Sequence, residues 1–190
     1  MGKLIYAALT SLDGYISDEK GGFGWAEPRE DVHSYVNKLE LDNGTLLLGK
    51  NMYETLVVWE DFPDIENQPD YIKEYQSAWK KMAKVVYSTS LKEVTTLNTI
   101  LKREFDKKEI EKIKRHETRN IGIGGANIAS QALAFSLIDE VYQFLFPIMI
   151  GSGKKWLSTA KPWNFECVES KNFLNGVVML HYKILNEKKC

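Results

Sequence analysis

Apolar residues in this chain fall into short dense runs, separated by stretches in which they return every three or four positions. Residues 4–9 (Leu-Ile-Tyr-Ala-Ala-Leu) make a compact run suited to a buried strand, and Ser11-Leu12-Asp13-Gly14 closes it as a turn. Residues 45–48, 84–87, 120–123 and 140–146 read as further strands. Helical patterns lie between them. After Pro28, the positions Val32, Tyr35, Val36 and Leu39 recur at helical spacing, with Glu30 and Asp31 in the first turn, where acids offset the positive end of the peptide dipoles. A short helix is expected over residues 51–56, and Tyr71, Tyr75 and Trp79 mark the core-packing stripe of another. Residues 102–119 read as a charged helix with a sparse apolar face of Phe105, Ile110 and Ile113, its charges solvated. Residues 129–137 continue as a helix, and residues 165–170 and 177–185 form a closing hairpin with Asn175-Gly176 as the turn signal. The expected architecture is one domain with a mostly parallel α/β sheet and an antiparallel C-terminal pair.

Composition narrows the partners. Among 190 residues, 25 Lys and Arg nearly balance 26 Asp and Glu, so no net field gathers nucleic acid or an anionic membrane. Aromatics at 12% argue against disorder. Cys167 and Cys190 are too far apart for a CxxC site and too few for a disulfide framework, so a reducing cytoplasm is the expected location. The apolar run near the N-terminus is too short for a signal peptide or a spanning helix.

The stretch Asn120-Ile121-Gly122-Ile123-Gly124-Gly125-Ala126-Asn127-Ile128 carries the strongest chemical signal: an apolar strand entering paired glycines and then a helix. Glycines admit a pyrophosphate close to the backbone, and the free N–H groups of a following helix face the anion. A tight turn without a ligand has the same pattern. Gly122 and Gly124 fit the first two glycines of the Rossmann fingerprint, but Asn127 holds the third position and the motif lies late in the chain. A nucleotide site here therefore belongs to another fold.

Several segments in order carry a family resemblance. Ala8-Leu9-Thr10-Ser11-Leu12-Asp13-Gly14-Tyr15-Ile16, Leu47-Leu48-Gly49-Lys50-Asn51-Met52-Tyr53-Glu54, Val86-Tyr87-Ser88-Thr89-Ser90, Ile123-Gly124-Gly125-Ala126, and Leu137-Ile138-Asp139-Glu140 with Pro147 and Gly151-Ser152-Gly153 together resemble the dihydrofolate reductase-like superfamily. Within it, the chain is most similar to the reductase domain of the bifunctional riboflavin-biosynthesis deaminase-reductase and its free-standing bacterial relatives. The resemblance implies a dihydrofolate reductase-like three-layer fold that binds NADPH at the carboxyl ends of the parallel strands. Gly124, Gly125, Ala126, Asn127 and Ile128 would hold the pyrophosphate. Gly49 would adjoin the cofactor, and Lys50 would meet the 2′-phosphate where the family usually has arginine. Ser88, Thr89 and Ser90 would lie beside the adenosine, and Ala8, Asp13, Gly14 and Ile16 would border the nicotinamide. Met52 replaces a customary threonine and removes one hydrogen bond. Lysine lacks arginine's planar fork, which weakens the expected preference for NADPH over NADH. A homodimer is also implied, with residues 141–146 and the C-terminal hairpin as its interface.

The residues themselves suggest no nucleophile triad and no zinc signature, so the deaminase half of the bifunctional enzyme is missing. Trp25, Pro28 and Glu30 resemble in spacing the loop and first-helix acid that face the pteridine in dihydrofolate reductases. Glu30 is the first candidate for binding or protonating a small-molecule substrate and Asp31 the second; a helix-start acid with no chemistry is the competing reading. Asp13 is a third candidate, though aspartate before glycine is first a turn residue. His33 lies one turn from Glu30 and could face the same pocket, whereas His116 and His181 read as structural. Three functions fit: an NADPH-dependent reductase of a ribosylaminopyrimidine-like or dihydrofolate-like heterocycle, a catalytically silent NADP-binding protein, or a partner-binding protein without cofactor.

Overall fold

The computed structural model describes residues 1–185. Ten strands and five α-helices follow in the order β1 (Leu4–Ser11), β2 (Tyr15–Ser17), α1 (Glu30–Leu41), β3 (Asn43–Gly49), α2 (Lys50–Leu56), α3 (Asp70–Lys81), β4 (Ala83–Tyr87), β5 (Thr99–Lys102), α4 (Lys107–His116), β6 (Asn120–Gly124), α5 (Ala126–Ala134), β7 (Glu140–Phe146), β8 (Lys154–Lys155), β9 (Asn164–Asn172) and β10 (Val178–Leu185). The main sheet runs β5-β4-β3-β6-β1-β7-β10-β9, and β2 pairs with β8 in a small second sheet. From β5 to β7 every pairing is parallel; β10 then joins β7 antiparallel, and β9 joins β10 antiparallel.

Alternation along the strands builds the layers. On β4, Val85 and Tyr87 pack with Ile110 of α4 and Ile128, Ala129, Ala132 and Leu133 of α5, whereas Val86 packs with Ala78 and Trp79 of α3. Ile5 of β1 points the same way as Val86 and meets Val32 of α1. One helical layer thus covers each face of a sheet buried on both sides, the usual setting for parallel strands. Close strand approach is also required. A Cβ added at Gly122 of β6 would lie 2.5 Å from Leu46 Cδ2 of β3 and 2.7 Å from Asn43 Nδ2.

One buried acid is paired on two sides. Glu140 on β7 accepts from Lys3 Nζ at 2.8 Å and lies 3.1 Å from His181 Nε2 of β10, with the Tyr142 ring stacked on His181 at 4.0 Å. His181, read from its position in a hairpin as structural, is buried between these two partners.

Several boundaries differ from the sequence reading. The charged helix expected over residues 102–119 is only Lys107–His116, because the Asp106 side chain accepts from Glu109 N at 2.9 Å and caps it there. The residues before it turn back as β5, which lies parallel on β4. α5 starts at Ala126 rather than residue 129, directly after the glycine pair. β7 lies between β1 and β10, so its backbone offers no free edge for assembly; of the two edge strands, β5 is half exposed and β9 is exposed along its whole length. Cys167 is exposed on β9, and Cys190 lies outside the described residues. No described helix is long and apolar enough to cross a membrane.

Candidate active site

Four parallel strands deliver their carboxyl ends to one rim. β3 ends at Gly49, the N-cap of α2; β4 ends at Tyr87, before Ser88-Thr89-Ser90; β5 ends at Lys102, before Arg103; and β6 ends at Gly124, before Gly125, the N-cap of α5. Between them lies a groove of about 550 Å³. Open α/β sheets place their ligands at this end.

The groove gathers most of the expected cofactor residues. Gly49, Lys50, Ser88, Thr89, Ser90, Gly125, Asn127 and Ile128 all line it. Gly124 and the buried Ala126 form the connection behind Gly125. Gly125 has φ 106° and ψ 120°, a backbone state closed to most side chains. The first intrahelical bond of α5 runs from Ala129 N to Gly125 O at 3.0 Å, so the amides of Ala126, Asn127 and Ile128 precede the helix's own pairing and are available to an anion. Tyr87 on the groove wall is 5% exposed, and its buried hydroxyl has no hydrogen-bond partner. Burial pushes its ionisation above the ordinary phenol range, with Glu109 and Asp106 adding to the effect, so it remains a neutral donor and acceptor. Open backbone amides, a row of hydroxyls and the three cationic side chains of Lys50, Arg103 and Lys154 suit a phosphate-bearing nucleotide.

Ala8, Gly14 and Ile16 do not line this groove. Ala8 is buried in β1, Gly14 O accepts Trp156 N at 3.1 Å, and Ile16 packs beside Trp156 and Leu157. They lie near the carboxyl end of β1, the strand beside β6.

The three acids separate by what they hold. Asp13 accepts from Ser11 Oγ at 2.5 Å, from Gly151 N at 2.8 Å and from Ile150 N at 3.3 Å, which ties the turn after β1 to the loop after β7. The Ser11 hydrogen bond, with the two backbone amides, keeps its carboxyl below the usual range. Asp31 accepts from Leu174 N at 3.1 Å and from Val32 N at 2.9 Å. Both serve as framework. Glu30, by contrast, is exposed at the first position of α1, and its carboxylate makes no hydrogen bond or ion pair among the described residues. His33 turns away to α3, with its Nδ1 3.0 Å from Asn37 Oδ1 and its ring 5.0 Å from that of Tyr71.

The family model of the RibD C-terminal domain matches residues 2–179. The chain belongs to that family. Membership supports a reductase of the riboflavin-pathway type. The chain is 23% identical over 184 residues to the uncharacterised protein YyaP of Bacillus subtilis (strain 168), covering 95% of this chain and 94% of that one. Its fold is similar to that of a protein assigned to riboflavin biosynthesis from Shewanella sp. PV-4, with TM-score 0.75, 21% identity, and coverage of 97% of this chain and 99% of that chain. Dihydrofolate reductase from Enterococcus faecalis, solved with NADP(H), superposes with TM-score 0.66 at 11% identity, covering 97% and 98% of the two chains. The fold is therefore dihydrofolate reductase-like.

Within this RibD C-terminal domain, the sequence reading missed part of the groove. Arg103, Phe105, Gln131 and Lys154 also line it. Arg103 was hidden because residues 102–119 carry a helical charge pattern. Lys154 belongs to the two-residue strand β8, which forms only because Tyr15 and Ser17 pair with it. Met52, the departure from the family's threonine, fills the wall with its thioether and packs with Leu46 and Leu48.

Proposed function

We propose that this RibD C-terminal domain is an NADPH-dependent reductase of a small heterocyclic ring of the pyrimidine or pterin kind. The observation that carries the reading is the groove at the carboxyl ends of β3, β4 and β6, with Gly125 at φ 106° beneath it. A bound nicotinamide supplies the hydride, and the protein's task is to bind, orient and exclude water. The α5 amides and Gly125 take the pyrophosphate. Ser88, Thr89 and Ser90 face the adenosine, and Lys50 lies on the phosphate side. The end of β1, around Ala8, Gly14 and Ile16, borders the reacting ring. Glu30, uncommitted to the framework, is the acid that binds or protonates the substrate. Asp13 and Asp31 hold the loops around that pocket.

Titration of the full chain with NADPH, followed by nicotinamide absorbance against a panel of aminopyrimidines, pterins and carbonyl compounds, tests this reading. Tight NADPH binding with turnover of a ring substrate is the expected result. Binding without turnover across the panel would favour a silent nucleotide-binding protein, and absence of binding would remove the cofactor altogether.

A further inference from the structure

Arg103 is held in an unusual way for a side chain exposed to a groove. Its Nη1 donates to Ser88 O at 3.1 Å and to Leu91 O at 2.5 Å, and its Nη2 donates to Lys92 O at 3.3 Å. A guanidinium has five N–H donors. Three are spent on the carbonyls of the loop after β4. The Nε hydrogen and one Nη2 hydrogen, which lie along a single edge, have no acceptor among the described residues. A paired N–H edge is the geometry that takes two oxygens of one phosphate.

Lys50 is arranged differently. Its Nζ lies 3.8 Å from Glu54 Oε1, one helical turn along α2, so its charge is already partly answered. Arg103 has no ion pair among the described residues, although Glu104 shares the lining. The same three bonds that fix the guanidinium plane also shape the loop presenting the Ser88, Thr89 and Ser90 side of the groove. Nearby, Tyr87 meets Phe105 edge-on at 4.9 Å in the same wall. Fixed fork and hydroxyl row meet at one end of the groove.

We propose that Arg103, rather than Lys50, decides whether the groove takes an adenosine carrying an additional phosphomonoester. The proposal rests on the nucleotide reading above and names the residue behind its phosphate preference. Because the loop carbonyls hold the fork in advance, little side-chain entropy is lost when the anion arrives.

Calorimetric titration of the full chain with 2′,5′-adenosine diphosphate and with adenosine 5′-monophosphate isolates that one phosphate. The wild type should prefer the diphosphate by about tenfold or more, the range for charge-assisted bonds. Arg103→Gln should bring the ratio of the two affinities close to one, even where loss of the loop bonds weakens both ligands together; Lys50→Ala should keep the ratio near its wild-type value. Arg103→Lys retains charge without the edge and should fall between, and it carries the test if Arg103→Gln fails to fold. A preference intact in both Arg103 variants, or lost only in Lys50→Ala, overturns the proposal. So does Arg103-dependent binding of ribose 5-phosphate in place of the diphosphate, which would make the fork a substrate site. Should neither adenosine nucleotide bind the wild type, the nucleotide reading itself fails, a result separate from any variant's behaviour.

Discussion

Asp31 and Leu174 meet across the fold: the Asp31 carboxylate accepts the Leu174 backbone N–H at 3.1 Å, joining the first turn of α1 to the loop between β9 and β10. Its neighbour Glu30 has no such duty. Asp31→Ala should therefore lower stability by about 0.5–1 kcal/mol, the net worth of an exposed hydrogen bond to a carboxylate, and leave NADPH affinity nearly unchanged. Glu30→Gln should do the reverse, with turnover down by about tenfold or more, roughly 1.4 kcal/mol of transition-state stabilisation, at an unchanged melting temperature. Steady-state kinetics beside thermal melting of both variants separates the roles. Full turnover in Glu30→Gln would reduce that residue to a helix-start acid.

Gly125 predicts a two-part response. Any side chain at φ 106° is strained, so Gly125→Ala should cost about 1–3 kcal/mol of stability. Gly125→Asp adds a carboxylate where the α5 amides would hold phosphate, and should abolish NADPH binding in protein that is still folded. Fluorescence titration of both variants, with circular dichroism to confirm folding, checks the assignment. Wild-type affinity in folded Gly125→Asp would exclude this glycine from the site.

Acid should unfold the chain partly through Glu140. Burial alone would raise its ionisation, but hydrogen bonds from Lys3 and His181 outweigh that and hold it below the usual carboxylate value of 4.5. A lowered native pKa stabilises the fold above that value, and the contribution disappears as pH falls through the native pKa. Glu140→Gln should be less stable than wild type near neutrality by about 2–3 kcal/mol, and the gap should narrow in acid. Urea melts across acidic pH provide the comparison; a gap independent of pH would contradict the assignment.

Assembly should proceed through β9. All nine of its residues, Asn164–Asn172, are exposed, and a bare edge of this length invites pairing. Light scattering should give a dimer, and Val168→Pro, which cannot extend the ladder, should give a monomer that still binds NADPH. A wild-type monomer at micromolar concentration would count against this interface.

Much of the sheet was legible because apolar runs and glycine turns are local. Residues 45–48 and 140–146 needed no tertiary information to read as buried strands, and the 120–128 segment showed its strand–glycine–helix course in its own order of residues. β5 was not legible. Thr99, Ile100, Leu101 and Lys102 are half exposed at the sheet's edge, and only pairing with β4 makes them a strand. Arg103 was lost with it, since its role depends on carbonyls brought beside it by that pairing. Asp31 was ambiguous for a similar reason: its partner amide is supplied by a hairpin far along the chain.

The contact between Gly122 and Leu46 bears on how such a domain can change over time. A methyl group at one position would have to displace a leucine on the neighbouring strand. Gly122 is therefore coupled to Leu46 and Asn43 of β3, and a larger residue on β6 requires both of those side chains to move or shrink. Since β6 leads straight into the glycine loop and β3 into Lys50, an engineer altering either wall of the groove from below must redesign both strands in one step.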